Sequence, residues 1–299
     1  ARETADRALR DLEQLGGAAQ GGSLALDARA VHARTHSDAN GEIAARRALA
    51  EKHGDDPMAH LELARALERR TRSAEALPEV DLAIALDAND PAAHLARARV
   101  LSRLKRFDEA SAEFDRAQAL FAEAGSPVGE AIVERARGDA EFARARYPQA
   151  EARYQKAARD LATAGLDLLA AQSRKAVGDC QLMQGNLDAA VAIYEPVLAL
   201  ARSVGDHRTI VTTLSSLGGQ FIVRGSLDLA ERALREAREE ALGLGNPVRL
   251  AGPTVNLASV RDESGRHGES RALAEEALAL ARDLRDEQIE AKALLLLAN

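Results

Sequence analysis

A repeated pattern limits what this chain can fold into more than any other feature does. Two Asp-Pro pairs, at Asp56-Pro57 and Asp90-Pro91, lie 34 residues apart, and each opens a segment whose apolar residues recur at helical spacing. Small residues then recur at one position of the repeat, first after 34 residues and afterwards every 40: Ala76, Ala110, Ala150, Ala190, Ala230 and Ser270. A period of this length is typical of a solenoid, in which helix pairs stack because one pair cannot bury its own apolar face.

Glycines keep the same period and predict where the helices end. They recur between the repeats at Gly125, Gly165, Gly205 and Gly245, and inside them at Gly185, Gly225 and Gly265. A glycine just past a helix end can adopt the left-handed backbone conformation that closes the helix. Small residues also let two antiparallel helices approach closely, while bulkier neighbours such as Phe107 and Tyr147 fill the remaining space. The pattern therefore predicts an all-α chain built from antiparallel helix pairs.

Composition and charge exclude several classes of protein. Aromatic residues make up 3% of the chain and tryptophan is absent, so the core has to be built from Ala, Leu and Val. The net charge of −7 comes from 47 acidic and 40 basic residues, and such a mixed surface argues against nucleic-acid binding. No segment approaches the roughly 18 apolar residues of a membrane helix, so membrane insertion is not predicted. The single cysteine, Cys180, forms no internal disulfide, which suits the cytoplasm and is also compatible with a bacterial periplasm.

The residues of the repeat resemble a known family. One copy is carried by Gly178, Gly185, Leu187, Ala190, Tyr194 and Val197, and the next by Leu217, Gly218, Gly225, Leu227 and Ala230. Both resemble the tetratricopeptide repeat. The first two copies are similar to its 34-residue form, and the next four to the longer 40-residue form of bacterial regulators and scaffold proteins. The resemblance covers about residues 57–299 and implies a right-handed superhelical solenoid. Arg97 and Arg137 depart from it at positions that are usually apolar.

The periodicity also divides the chain. Residues 1–56 are expected to form N-terminal helices, a cap or a degenerate repeat, with a helix over 2–15 and a flexible glycine-rich segment over 16–22. Residues 57–290 are expected to hold six repeats. Residues 291–299 match the opening of a further repeat, and we expect the chain to be a fragment of a longer protein unless residues 285–299 dock elsewhere.

Motifs that carry catalysis or bind cofactors are not found in the sequence. There is no phosphate-binding loop, no dinucleotide fingerprint and no HExxH zinc motif, so neither a cofactor nor a metal is predicted. His32 and His36 are four residues apart, but a zinc site needs three or four ligands, and we interpret them as surface residues. His60 and His94 occupy equivalent repeat positions, and Cys180 lies far in sequence from any histidine, so packing explains all three better than catalysis. We therefore expect a protein that is not an enzyme.

The resemblance implies where a partner would bind, because tetratricopeptide arrays expose the first helix of each pair on a concave groove. The implied candidates are Arg65, Arg69, Arg99, Arg103, Arg135, Asp139, Lys175, Asp179, Thr212, Ser215, Ile222 and Asn256. Asn256 matches a position at which some long-form relatives hold a peptide backbone. The pattern lacks the Lys and Asn of the clamp for chaperone tails, so that activity is not predicted.

The arginines among these candidates suggest what the groove recognises. Arg65 and Arg69 are four residues apart on one helix face, and so are Arg99 and Arg103. Four guanidinium groups on one surface would suit the carboxylate or phosphate groups of an acidic partner. The alternative is a solvated surface on which Arg65 and Arg69 pair with Glu62, Glu68 or Glu75.

Three functions are compatible with these observations. The preferred one is a protein–protein interaction scaffold that holds an extended or helical peptide in its concave groove, as part of a larger bacterial regulatory or signalling protein. The alternative is a self-association module that forms a homo-oligomer without a separate peptide ligand. The third, a hydrolase or phosphatase hidden among the helices, would require a buried pair of titratable groups with strongly shifted pKa values.

Overall fold

The computed structural model describes residues 23–35, 39–244, 247–284 and 286–298. These ranges contain fifteen α-helices and no β-strand. The predicted helix over 2–15, the glycine-rich segment over 16–22, His36 and Gly245 lie outside the described residues. None of the described helices is long and apolar enough to span a lipid bilayer.

The helices belong to two compact units, residues 1–165 and residues 166–299. The first unit contains α1 (Ser23–Thr35), α2 (Ala39–Lys52), α3 (Pro57–Arg69), α4 (Ser73–Leu86), α5 (Pro91–Arg103), α6 (Phe107–Glu123), α7 (Pro127–Ala143) and α8 (Tyr147–Thr163). The second contains α9 (Asp167–Met183), α10 (Leu187–Val204), α11 (His207–Val223), α12 (Leu227–Leu244), α13 (Pro247–Glu263), α14 (His267–Leu284) and α15 (Glu287–Ala298).

Each odd-numbered helix from α1 to α13 packs against the even-numbered helix that follows it, which confirms the predicted antiparallel pairing. The odd-numbered helices also pack side by side, α3 with α5 and α5 with α7 in the first unit, and α9 with α11, α11 with α13 and α13 with α15 in the second. Equivalent positions of successive pairs therefore lie next to each other on one side of each unit.

The predicted Asp-Pro signals begin two of these helices. The side chain of Asp56 accepts a hydrogen bond from the backbone N–H of Met58 at 2.9 Å, and Asp90 accepts one from Ala92 at 2.8 Å. Each aspartate satisfies one N–H that the first helical turn leaves without an acceptor, and the proline after it has no N–H to satisfy.

The turns inside the pairs have one backbone geometry but not one residue type. Gly185, as predicted, has a positive φ of 82° and closes α9. The equivalent positions of three earlier pairs also have positive φ but carry residues with a side chain: Thr71, Lys105 and Ala145. The repeat geometry therefore imposes the left-handed conformation even where the sequence supplies no glycine.

Helix length separates the two kinds of repeat. The first helices α3 and α5 each have 13 residues, whereas α7, α9, α11 and α13 each have 17. The added residues form about one extra turn at the start of the helix. Counted from the helix end, Asp139, Asp179 and Gly219 are therefore equivalent to Arg65 and Arg99.

Glycines within the first helices let the paired helices approach. A Cβ atom on Gly138 would lie 2.7 Å from the Tyr154 ring, one on Gly178 would lie 2.4 Å from the Tyr194 ring, and one on Gly218 would lie 2.4 Å from Leu234. Tyr154, Tyr194 and Leu234 are buried, and the rest of the core is mostly Ala, Leu and Val, as the composition predicts.

The helix bounds can be compared with the predicted division of the chain. Helices α1 and α2 fall within residues 1–56, six pairs from α3 to α14 follow, and α15 begins at Glu287. That the first pair caps the array and that α15 opens a further repeat remain predictions.

Candidate partner-binding face

We call the surface formed by the odd-numbered helices of a unit its first-helix face. In the first unit this face carries two of the predicted arginines on α3, and both engage carboxylates. Arg65 Nη1 lies 2.7 Å from Glu62 Oε1, and Arg69 Nη2 lies 2.6 Å from Glu42 Oε1. The contact between Arg65 and Glu62 is the one that the surface-pairing alternative expected, whereas Arg69 takes a partner from α2.

The two arginines of α5 share a buried carboxylate. Glu68 is 5% exposed. Its Oε1 lies 3.0 Å from Arg99 Nε and 3.5 Å from Arg103 Nε, and Arg103 also donates to the Glu68 backbone carbonyl at 3.2 Å. Glu68 Oε1 accepts no well-aligned hydrogen bond, so charge attraction alone holds it between the two guanidinium groups. The four predicted arginines of α3 and α5 therefore already face an internal carboxylate.

Asp139 on α7 lies near the positive charges of Arg135, Arg99 and Arg103. It accepts a hydrogen bond from the Tyr154 hydroxyl at 2.7 Å. Asp139 is exposed as a whole residue, but the protein atoms packed around its carboxyl desolvate that group and raise its pKa. The Tyr154 hydroxyl and the arginines partly oppose this rise. The structure therefore brings Arg135 and Asp139 together with Arg99 and Arg103.

The second unit repeats the aspartate–tyrosine contact with an added lysine. Asp179 on α9 accepts from the Tyr194 hydroxyl at 2.7 Å, from Lys175 Nζ at 2.8 Å and from Ser216 Oγ at 3.4 Å. Burial and the adjacent Asp179 charge raise the pKa of Tyr194 well above its usual range. Lys175 and Asp179 thus form one internally satisfied cluster.

Helix α11 presents small polar residues, and their hydroxyl groups bond within the helix. Thr212 Oγ1 donates to the Arg208 carbonyl at 3.1 Å, and Ser215 Oγ donates to the Val211 carbonyl at 2.6 Å. Ile222, predicted to contribute to the groove, packs instead as a half-buried residue against the core cluster of Ala230, Leu234, Leu257 and Val260.

Asn256 on α13 has a partner from the next first helix. Its Oδ1 accepts from Lys292 Nζ of α15 at 2.7 Å. Burial lowers the pKa of Lys292, and the charge of Glu263 partly offsets this. Lys292 is a residue that the sequence analysis missed.

Two further cations of this unit were also missed, Arg208 at the second position of α11 and Arg249 at the third position of α13. Within the described residues neither guanidinium group has a hydrogen-bond or ion-pair partner. Both arginines lie in the first turns of successive first helices, and this spacing could have been recognised in the sequence. They were missed because the groove positions of the tetratricopeptide pattern lie later in the helix.

The structure also places the other residues that the sequence analysis considered for chemistry. His60 and His94 are buried, and each bonds to a glutamate of its paired helix and to a backbone carbonyl six residues earlier. Cys180 is buried, and His32 is half-buried in α1. Among the described residues no group of three or more His, Cys, Asp or Glu side chains could hold a metal ion.

Arg97 and Arg137, at positions that are apolar in the family, also have identifiable partners. Arg97 contacts Asp81 at 2.7 Å and Glu113 at 2.5 Å. Arg137 contacts Asp115 at 2.6 Å and lies over the Phe114 ring, 5.5 Å from its centroid. Long arginine side chains can pack their stems on apolar surface while the charged ends reach these partners.

Sequence comparisons find no relative, because neither a protein-family model nor a curated protein matches the chain. Solved structures do share the fold. A Rap protein complexed with Competence and Sporulation Factor has a TM-score of 0.72 at 11% identity, over 95% of this chain and 80% of that one. Yeast Tom70 has a TM-score of 0.67 at 17% identity, over 99% and 59%.

A third similar structure is a Signal Transduction ATPase with Numerous Domains from Pyrococcus horikoshii, which has a tetratricopeptide repeat sensor. Its TM-score is 0.68 at 14% identity, and the match covers 99% of this chain and 48% of that one, so the chain spans about half the length of that protein. At such low sequence identity, structural similarity establishes the fold alone. The fold is that of tetratricopeptide-type helical repeat proteins, as the sequence predicted.

Proposed function

We propose that this protein is a non-enzymatic interaction scaffold that holds a peptide segment of a partner protein along its first-helix face. The observation that carries the proposal is the small-residue surface of α11 and α13. A Cβ atom on Gly252 would meet no atom within 4 Å, and one on Gly219 would meet only Asn256 Nδ2 at 4.0 Å. Thr212 and Ser215, whose hydroxyls are already bonded, border this surface, so a ligand could approach the backbone of both helices closely.

The comparison with the Rap structure supports a peptide or protein ligand, because that protein was solved with Competence and Sporulation Factor bound. The sensor repeats of the Pyrococcus horikoshii protein support a place in signal transduction. We extend both features to this chain as a proposal: a cytoplasmic sensing or scaffolding part of a bacterial regulatory protein. The many Arg and Ala residues are typical of a GC-rich bacterial genome.

Blocking the small-residue surface tests this function. Peptides that bind the wild-type protein are selected from a random display library, and their affinities are measured for Thr212→Trp and Thr163→Trp. The two threonines are matched, because each lies in a helix and donates to the carbonyl four residues earlier, at 3.1 Å and 3.0 Å. Only Thr212 lies on a first helix. We expect Thr212→Trp to weaken binding about tenfold or more, since a bulky ring obstructs the surface. Equal affinity for both variants would contradict the proposal.

A second variant tests whether Arg99 and Arg103 of the first unit contact the peptide, and it must also neutralise Glu68, the carboxylate that they share. Replacing Arg99 and Arg103 alone would leave Glu68 buried without a counter-charge, which would unfold the protein for reasons unrelated to binding. Arg99→Ala with Arg103→Ala and Glu68→Gln avoids this, and a circular dichroism melt checks the fold. If these arginines contact the selected peptides, the triple variant binds them about tenfold more weakly. Unchanged affinity would remove these two arginines from the binding surface.

Self-association is the second candidate, and exposed leucines on α15 favour it. Leu294 is 44% exposed and Leu295 is 66% exposed. If a second copy covers these residues, light scattering gives twice the chain mass of 31.9 kDa, and Leu295→Glu restores the single-chain mass. Val223→Glu is the matched control, because Val223 is 80% exposed on another helix. A wild-type protein with the mass of one chain would contradict self-association.

A further inference from the structure

We propose that Arg208 and Arg249 form a binding site for an anionic group of the partner, a carboxylate or a phosphate ester, on the first-helix face of the second unit. The inference rests on the proposed function, because the anionic group belongs to the bound peptide. It assigns recognition of acidic residues to side chains other than those that the family resemblance implies.

The two arginines lie in the first turns of two adjacent helices. Arg208 is the second residue of α11 and Arg249 the third residue of α13, and these two helices pack against each other. Arg208 is exposed, whereas Arg249 is half-buried. Burial lowers the pKa of Arg249, the positive charge of Arg208 lowers it further, and the charge of Asp206 partly opposes this. One arginine is therefore half-buried, and a second, exposed arginine lies in the first turn of the neighbouring helix.

The charge of this pair is only partly compensated by the protein, because the charge of Asp206 acts on both Arg208 and Arg249. Among the described residues, Asp206 is the acidic group that acts on Arg249, and its oxygens are already engaged. Asp206 accepts hydrogen bonds from the Thr209 backbone N–H at 3.3 Å, from the Thr209 hydroxyl and from Gln172 Nε2 at 3.3 Å. A half-buried guanidinium group loses part of its hydration, and a carboxylate or phosphate that bonds to it would offset that loss.

The surface next to the pair has room for a ligand. Gly252 follows Arg249 by three residues and therefore lies on the same side of α13, where a Cβ atom would meet no neighbour within 4 Å. Thr212 follows Arg208 by four residues on α11. A peptide side chain can thus reach both guanidinium groups while its own backbone passes over Gly252.

A further cation, Lys292 of α15, is bound to Asn256 on the same side of α13 as Arg249. Asn256 lies seven residues after Arg249, about two helical turns or roughly 10 Å away, and holds Lys292 Nζ at 2.7 Å. An amide oxygen is the acceptor that this lysine has in the structure, so its charge also lacks a directly bonded carboxylate. Two cationic positions at this spacing suit a segment with several acidic residues better than a single small anion.

The arginines of the first unit are less suited to this task. Each of these arginines already contacts an internal carboxylate: Arg65 contacts Glu62, Arg69 contacts Glu42, and Arg99 and Arg103 contact Glu68. A ligand carboxylate would therefore have to displace an internal one. At Arg208 and Arg249 there is no such competitor among the described residues.

The test uses fluorescein-labelled hexaglutamate, with hexaglutamine as the uncharged control and a phosphoserine peptide of equal length. Affinities are measured by fluorescence anisotropy for wild type, for Arg208→Gln with Arg249→Gln, and for Arg232→Gln with Arg271→Gln. The control pair consists of exposed arginines on the second helices α12 and α14. Each double variant lowers the net charge by two from −7, so any difference between them reports the position of the charges.

We expect the first double variant to bind the acidic peptides about tenfold more weakly and the control variant to bind within about twofold of wild type. The peptide that binds more tightly to wild type identifies carboxylate or phosphate as the natural group. Equal loss in both variants, or a result in which neither hexaglutamate nor the phosphoserine peptide binds better than hexaglutamine, would overturn the inference.

A stability measurement adds an independent criterion. Because Arg249 is half-buried and has no ion-pair partner among the described residues, Arg249→Gln should leave the melting temperature unchanged or raise it. A fall of several degrees would show that Arg249 serves the fold and would contradict the inference. If the library-selected peptides discriminate Thr212→Trp but bind wild type and the Arg208/Arg249 variant equally, the proposed function stands and this inference fails.

Discussion

At the scale of single residues, Gly178 and Tyr194 show how one missing atom sets the distance between paired helices. The Tyr194 ring is fully buried, and its hydroxyl is fixed by a 2.7 Å hydrogen bond to Asp179. A Cβ atom on Gly178 would lie 2.4 Å from Cε1 of that ring. Since the ring is held at both ends, it has little freedom to move aside.

We therefore expect Gly178→Ala to lower the free energy of unfolding by about 1–3 kcal/mol, the usual cost of overpacking. Gly243→Ala is the matched control, because a Cβ atom there meets nothing within 4 Å, and it should raise stability by about 0.5–1 kcal/mol through helix propensity. Urea unfolding of both variants checks the prediction. A Gly178→Ala protein as stable as wild type would show that Tyr194 can relocate.

Asp139 provides a prediction about pH. Desolvation raises the pKa of its carboxyl in the folded protein above the ordinary value of 3.8. The folded state therefore binds this proton more tightly than the unfolded chain does, and the resulting stability is fully present below the unfolded-state pKa and is lost as the pH rises through the folded-state pKa.

Asp139→Asn keeps an acceptor for the Tyr154 hydroxyl but does not titrate. The stability of wild type relative to Asp139→Asn should therefore be highest below pH 3.8 and decline as the pH rises above that value, as measured by urea unfolding at several pH values. A difference that is constant with pH, or that grows with rising pH, would contradict the assigned shift.

At the scale of secondary-structure elements, the turn inside a helix pair contains one residue in the left-handed backbone conformation. That residue is glycine in some pairs and a residue with a side chain in others. Gly185, Gly225 and Gly265 adopt positive φ without a Cβ atom, whereas Ala145 adopts a φ of 56° with one. A left-handed residue other than glycine costs about 1 kcal/mol.

Ala145→Gly should accordingly raise the free energy of unfolding by up to about 1 kcal/mol, and Gly185→Ala should lower it by a similar amount. The two substitutions are exchanges at equivalent turns, and thermal melts compare them directly. If Ala145→Gly destabilises the protein, the entropy that glycine gains in the unfolded chain outweighs the relief of backbone strain.

At the scale of the whole molecule, packing within each unit is between helices that are near neighbours in the chain. The stability of such arrays is close to a sum of terms from neighbouring elements. A change in one pair should therefore affect the nearest helices most.

Hydrogen exchange measured by mass spectrometry tests this for Gly178→Ala. We expect protection to fall most in α9 and α10, less in α11, and least in α13 and α14. A uniform loss of protection from α1 to α15 would instead indicate that the chain unfolds as one cooperative block.

The sequence by itself determined the class of fold. The 34- and 40-residue periods, the Asp-Pro starts and the recurring small residues specify helix pairs, because helix ends and close helix contacts depend on residue types at fixed local spacing. The same local rules located Gly185 in its turn and Ala150 in the core.

Only the tertiary structure decided which charges remain available to a partner. Arg99 and Arg208 look alike in the sequence, yet Arg99 forms an ion pair with the buried Glu68, whereas Arg208 has no hydrogen-bond or ion-pair partner among the described residues. The distinction depends on which side chains neighbouring helices bring together across 30 to 40 residues of chain. Repeat spacing alone does not encode it, because the repeat fixes backbone positions and leaves the pairing of long charged side chains to their three-dimensional neighbours.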